Sequence, residues 1–214
     1  MALSQVVTVL VGADRTKFVI HKDLLTSKSE FFRAALTGDW EESKSQKVHL
    51  PEDDPAAFEM FAHWLYFTEV DFEVNDRAFT TLSEAWFLGD KLQAIAFKIA
   101  VINEFVPTMY KTERLTTLQN IKDIYSRTLP NSPLRRLIVD IHIWEGELGI
   151  FGSMLGSGEL DCEFAVEVAD RFMTLWQNDK KMSKTAEPYK LNICSYHDHV
   201  DGEALCKKTR SSSK

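Results

Sequence analysis

Residues 5–12, QVVTVLVG, form a β-branched run closed by the turn signal Gly12-Ala13-Asp14, and residues 17–20 resume the apolar character. The pattern predicts a short hairpin. From His21 to Leu36 helical spacing replaces alternation: Leu24 and Leu25 come first, then Phe31, Phe32, Ala35 and Leu36, with Ser27 and Ser29 available as caps between two short helices. Gly38-Asp39 ends the second. A polar stretch, residues 41–46, then leads to residues 47–50, a short strand stopped by Pro51.

Helices dominate from there on. Asp54-Pro55 is a strong start, because the Asp side chain can accept from free backbone donors and Pro at the first helical position gives up no useful hydrogen bond. Phe58, Phe61 and Leu65 share one face of the helix that follows. Asn75 or Asp76 is expected to open the next helix, with Phe79, Leu82 and Trp86 at consecutive turns, and Asp90 another, carrying Leu92, Ile95, Ile99 and Ile102. Pro107 is expected to end this part, which makes residues 105–112 the candidate boundary between domains, a packed connection more than a loose linker. The expected division is 1–107, then a helical region 108–178, then a polar tail 179–214, disordered in part.

In the helical region Leu115, Leu118, Ile121 and Tyr125 trace one helix, and Ser132-Pro133 repeats the cap-plus-proline start for a second, which buries Leu134, Leu137, Ile138, Ile141 and Leu148. Residues 149–158 are glycine-rich and read as a loop. Asp161 caps a last helix along Phe164, Val168, Phe172 and Leu175. The whole reads as an α+β chain: a small sheet with a cluster of helices, followed by an α-helical C-terminal region. The Phe and Trp stripes, with Trp64, Trp86 and Trp144, fall at helical spacing and read as core.

Composition narrows the function classes. With 44% hydrophobic and 27% charged residues over 214, the chain can build a globular core. Its 25 Lys plus Arg against 32 Asp plus Glu give a net charge of -7, which argues against a surface made to grip phosphate backbones. Three cysteines, Cys162, Cys194 and Cys206, are too few for a disulfide framework and fit a reducing compartment, cytosol or nucleus. The start carries no basic stretch or cleavage site of a signal peptide, and no apolar run reaches the eighteen or so residues of a membrane span. There is no HExxH, no GxSxG and no glycine-rich phosphate loop; residues 152–158, GSMLGSG, lack a following Lys and a preceding strand. An enzyme is not expected.

The segments VTVLVG (7–12), KFVIHKDLL (17–25), SEFFRAAL (29–36), WEES (40–43), VHLPEDDPAAFEMFAHWLYF (48–67) and EAWFLGDKLQ (84–93) together resemble the BTB/POZ domain in order and spacing. The later segments SPLRRLIVDIHIW (132–144) and FAVEVADRFM (164–173) look like the helical extension of stand-alone BTB proteins common in filamentous fungi. The resemblance implies a non-enzymatic protein-interaction module that forms homodimers or heterodimers. It also implies an adaptor or scaffold, since many such domains dock on a cullin to recruit substrates for ubiquitin transfer.

Two features follow from it residue by residue. Cullin-binding members carry an apolar residue, any residue, then Glu before a strand; Trp40-Glu41-Glu42 stands at that place, so Trp40 and Glu42 are the expected cullin contact. The alternative is that Trp40 folds back on its own domain and Glu42 is solvated. Dimerising members pair an Asp before the first strand motif with a basic residue near the His of the second. Here Lys22 matches the basic partner but Val6 takes the Asp position, so Lys22 is expected to face solvent or find another carboxylate. The swapped N-terminal helix of many members is missing as well, and a dimer is less strongly implied. His21, in the family motif, reads as a buried structural residue and not a catalytic one.

One cluster falls outside the resemblance. Cys194, His197, His199 and Cys206 are a full ligand set for tetrahedral zinc in residue type. Their spacing matches no familiar finger, so incidental placement is the favoured reading and no cofactor is expected; bound zinc would be structural, with all four positions filled by protein. A transcription-linked nuclear protein is the alternative function, in which that cluster or the basic residues Lys207, Lys208 and Arg210 reach nucleic acid.

Overall fold

The computed structural model describes residues 5–146, 156, 158, 160–178 and 187–198. The chain forms two compact units, residues 1–127 and 128–214. In the first, β1 (Val6–Val11) and β2 (Thr16–His21) make the expected antiparallel hairpin, and β3 (Lys47–Leu50) adds parallel to β1, giving the order β2-β1-β3. Gly12 lies in the left-handed region at φ 75°, which the turn requires and only glycine adopts without strain. Val7, Val9, Val11, Ile20, Val48 and Leu50 point inward and are buried, so strand alternation sets one face on the core.

Between β2 and β3 lie α1 (Lys22–Lys28), α2 (Glu30–Thr37) and the single turn α3 (Glu41–Ser45), which forms from the stretch read only as polar. Ser29 caps α2: its Oγ accepts from the Phe32 N–H at 3.2 Å and donates to the Leu92 carbonyl at 2.6 Å, tying the helix start to a residue 63 positions away. The aromatic pair Phe31-Phe32 is thereby set, with Phe32 fully buried.

The helix α4 (Pro55–Phe67) starts as its sequence dictates, with Asp54 Oδ1 accepting from the N–H groups of Ala56 and Ala57 at 2.7 and 3.2 Å. The next helix, α5 (Ala78–Lys91), begins two residues later than expected, because Asn75 Oδ1 caps a preliminary turn by accepting from the Arg77 N–H. Asp90 opens no helix. It lies in the last turn of α5, and its carboxylate accepts from the buried Lys98 at 2.6 Å instead of from a helix N-terminus. Gln93, at φ 50°, closes α5, and α6 (Ile95–Thr112) follows. Gly89 lets the two helices approach: a Cβ there would stand 2.8 Å from Lys98 Cγ and 3.1 Å from the Phe97 ring.

Pro107 does not end the first part of the chain. It lies inside α6, where the missing N–H costs about 3 kcal/mol, and burial of Phe105, Thr108 and Met109 around it holds the helix together. The expected 107/108 boundary therefore falls within a helix, and the first compact unit continues through α7 (Leu118–Arg127).

In the second unit α8 (Pro133–Glu145) opens at Ser132-Pro133, with the Ser132 hydroxyl accepting from the Arg135 N–H. Asp161 caps α9 (Cys162–Asn178) by accepting from the Phe164 N–H at 3.1 Å. Leu134, Leu137, Ile138, Ile141 and Phe164 are buried, whereas Val168 and Leu175 are half-buried and Phe172 is exposed, so the expected core face of α9 is fully buried at Phe164 alone among its four residues. Leu148 lies outside the described residues, as does nearly all of the glycine-rich stretch. A short helical turn (Pro188–Leu191) and a 3-10 turn (Ile193–Tyr196) are the other elements among its described residues. Among the described residues no helix is long and apolar enough to cross a membrane.

Candidate partner-binding surface

Trp40 is the helix-capping residue ahead of α3, and its carbonyl accepts from the Ser43 and Lys44 N–H groups at 3.1 and 3.2 Å. Its indole is 66% exposed. Gly38 makes that pose available: a Cβ at 38 would stand 2.7 Å from the indole Cδ1, so any larger residue would push the ring away. The Ser43 hydroxyl donates to the Leu36 carbonyl at 3.1 Å, which fastens α3 back to α2. Glu42 lies half-buried in the first turn of α3. A hydrogen-bonded turn thus holds a large exposed aromatic with a half-buried carboxylate two residues on, residue types able to anchor and orient a partner.

The other expected pair is arranged differently. Val6 is 48% exposed at the start of β1, opposite His21. The backbone N–H of Lys22 donates to the Gln5 carbonyl at 2.8 Å, and its half-buried side chain makes no ion pair among the described residues. His21 is exposed, contrary to the buried structural role expected of it. Its Nδ1 is 2.8 Å from the Tyr66 hydroxyl, which also accepts from the His21 N–H at 3.3 Å. The contact ties the end of β2 to the last turn of α4, where Tyr66 and Phe67 are themselves exposed. No local sequence signal marks it, because the two residues are 45 positions apart.

Of the zinc candidates, Cys194 and His197 are buried in the second unit, and His199 and Cys206 lie outside the described residues. Among the described residues no group of three or more His, Cys, Asp or Glu is gathered for a metal.

With the fold and these surfaces established, the family match is direct: residues 3–98 match the model of the BTB/POZ domain. This region is a BTB/POZ domain. A stretch of 64 residues is also 39% identical to BTB/POZ domain-containing protein 6 of Xenopus tropicalis, covering 30% of this chain and 12% of that protein. The chain therefore spans a small part of that relative's length. The BTB/POZ domain is a protein-protein interaction module, and the match takes in β1 through β3, the Trp40 corner and the start of α6.

The second unit holds a cleft of about 500 Å³ whose walls include Arg136, Asp140, Arg171 and Tyr196. Its cations are engaged by the protein itself. Arg171 donates from Nε and a terminal nitrogen to both oxygens of the buried Asp140 at 2.7 and 3.0 Å, and Arg136 donates to the carbonyls of Ser195 and Asn131. Tyr196 donates to Asp140 at 2.5 Å; burial, and then the carboxylate beside it, push its phenol well above the usual range, so it stays a donor. These walls are a clasp between α8, α9 and the 3-10 turn.

Proposed function

We propose that the chain is a BTB adaptor or scaffold of the cytosol or nucleus, and that the Trp40 corner is its contact with a cullin-type scaffold. The observation that carries this reading is the exposed Trp40 with Glu42 two residues on, at the place where the BTB/POZ resemblance puts a scaffold contact. Trp40 supplies the apolar anchor and Glu42 the charge that fixes register. The adaptor brings a client to the scaffold and needs no chemistry of its own.

Co-purification of a cullin from cell extract, with wild type and with Trp40→Ala and Glu42→Ala, tests the assignment. Loss of cullin with Trp40→Ala and reduced recovery with Glu42→Ala is the expected result. Equal recovery by all three proteins removes both residues from the contact.

A further inference from the structure

The sheet presents a second face, the one turned away from the core. The register of the three strands brings eight side chains to it, in three rows: Lys17, Leu10 and His49; Val19, Thr8 and Lys47; His21 and Val6. Their strand neighbours Val7, Val9, Ile20 and Val48 point the other way and are buried. Val6 is 48% and Val19 53% exposed, Leu10 and Thr8 are half-buried, and Lys17, His21, Lys47 and His49 are exposed. Through His21 the face continues to the exposed Tyr66 and Phe67 at the end of α4.

The charge distribution is one-sided. In a chain of net charge -7, this face carries two lysines, two histidines and no carboxylate among its eight positions. The apolar residues run along the middle and the first edge, and lysines stand on both outer strands. We infer that this face docks an acidic amphipathic helix of another protein, its apolar stripe on Leu10, Val19 and Val6 and its flanking Asp or Glu side chains toward Lys17 and Lys47.

The width favours one helix. Three strands about 4.8 Å apart span roughly 10 Å between the outer two, close to the diameter of a single α-helix with its side chains. A second copy of this chain is a poorer occupant, because a symmetric contact would set these lysines against their own counterparts. The surface shares no residue with the Trp40 corner and would give the adaptor of the proposed function a place for its client, so the two assignments can fail separately.

The test uses the full chain and a labelled synthetic helix of about 16 residues, some 24 Å long, with leucines at i, i+3, i+4 and i+7 flanked by glutamates. A control peptide has lysine at every glutamate. Binding is read by fluorescence anisotropy and by methyl NMR shifts of Val6, Leu10 and Val19. The acidic peptide is expected to bind, to move those methyls, to weaken with added salt, and to lose roughly tenfold or more in affinity against Lys17→Glu/Lys47→Glu. Trp40→Ala should bind it as wild type does.

Equal binding of the acidic and lysine peptides overturns the proposal, as does unchanged affinity in the double variant. Loss of binding in Trp40→Ala would move the peptide to the other corner and end it too. Two results on the free protein also refute it. If those methyls shift with protein concentration alone, a second copy is the occupant; if they are shielded from a soluble paramagnetic probe, the chain covers the face itself.

Discussion

Both units have a buried apolar core, and they differ in how much charge is buried beside it. The first encloses an aromatic cluster: Phe61 lies 5.1 Å from Phe97, 6.1 Å from Trp64 and 6.4 Å from Phe32, ring centroid to centroid, and all four rings are buried. The second buries Arg135, Asp140, His142 and His197 beside its aliphatic residues. Arg135 donates to the hydroxyl and carbonyl of Thr128 and to Glu163, while Asp140 receives Arg171 and Tyr196. Apolar packing tolerates small changes of shape, whereas a buried charge is stable only with every partner in place. The first unit should therefore answer to lost volume and the second to a lost partner.

The largest effect that would sharpen this contrast is Phe61→Ala. Removing a fully buried ring that packs against four others, Phe32, Phe58, Trp64 and Phe97, should cost about 3–5 kcal/mol, measured as a fall in the urea midpoint of the first unit. A loss below about 1 kcal/mol would mean that the cluster is not what holds that unit. Next comes Asp140→Ala, which leaves Arg171 and Tyr196 facing an emptied site. We expect a cost of about 3 kcal/mol, at the low end for a broken buried pair because Arg171 keeps some contact with solvent. Hydrogen exchange at the amides of α8 and α9 reads it. Replacing the whole group, Asp140→Leu with Arg171→Met and Tyr196→Phe, should restore most of the loss. If the triple variant is as unstable as Asp140→Ala, volume and not pairing governs the second unit.

The same contrast explains what was legible in the sequence. The hairpin, β3 and the starts at Asp54-Pro55, Ser132-Pro133 and Asp161 are written in neighbouring residues, since caps, turns and alternation act over a few positions. What was hidden depends on distant partners. Asp90 has the residue type of a helix start, yet Lys98, held over the Trp86 ring at 4.4 Å, claims its carboxylate. Pro107 is a local stop signal that the burial of Phe105 and Met109 overrides. His21 reads as a core histidine until Tyr66 is placed beside it, and the Asp140 clasp joins positions 31 and 56 residues apart. At the candidate surface, the motif located Trp40, and only the fold revealed its exposure and the role of Gly38.

The smallest effect sets an acid of the first unit that has no ion pair among the described residues against the paired acid in the second. Glu104 lies half-buried on α6, and burial holds its carboxyl above the ordinary glutamate value. A carboxyl raised in this way binds its proton more tightly in the folded protein than in the unfolded chain. Its contribution to stability is full below the ordinary value, about 4.3, and is lost as pH rises through the raised one. Glu104→Gln keeps the shape and removes the titration. That variant should be more stable than wild type at about pH 7, with the advantage vanishing toward about pH 4, as read from thermal unfolding across that range. Asp140→Asn should have the opposite sign at neutral pH, because Arg171 there stabilises the charge that Glu104 carries without benefit. Two changes of one carboxylate to its amide would then move the two units in opposite directions. If Glu104→Gln gives the same offset at every pH, packing and not charge is responsible, and the contrast between the units rests on Phe61 and Asp140 alone.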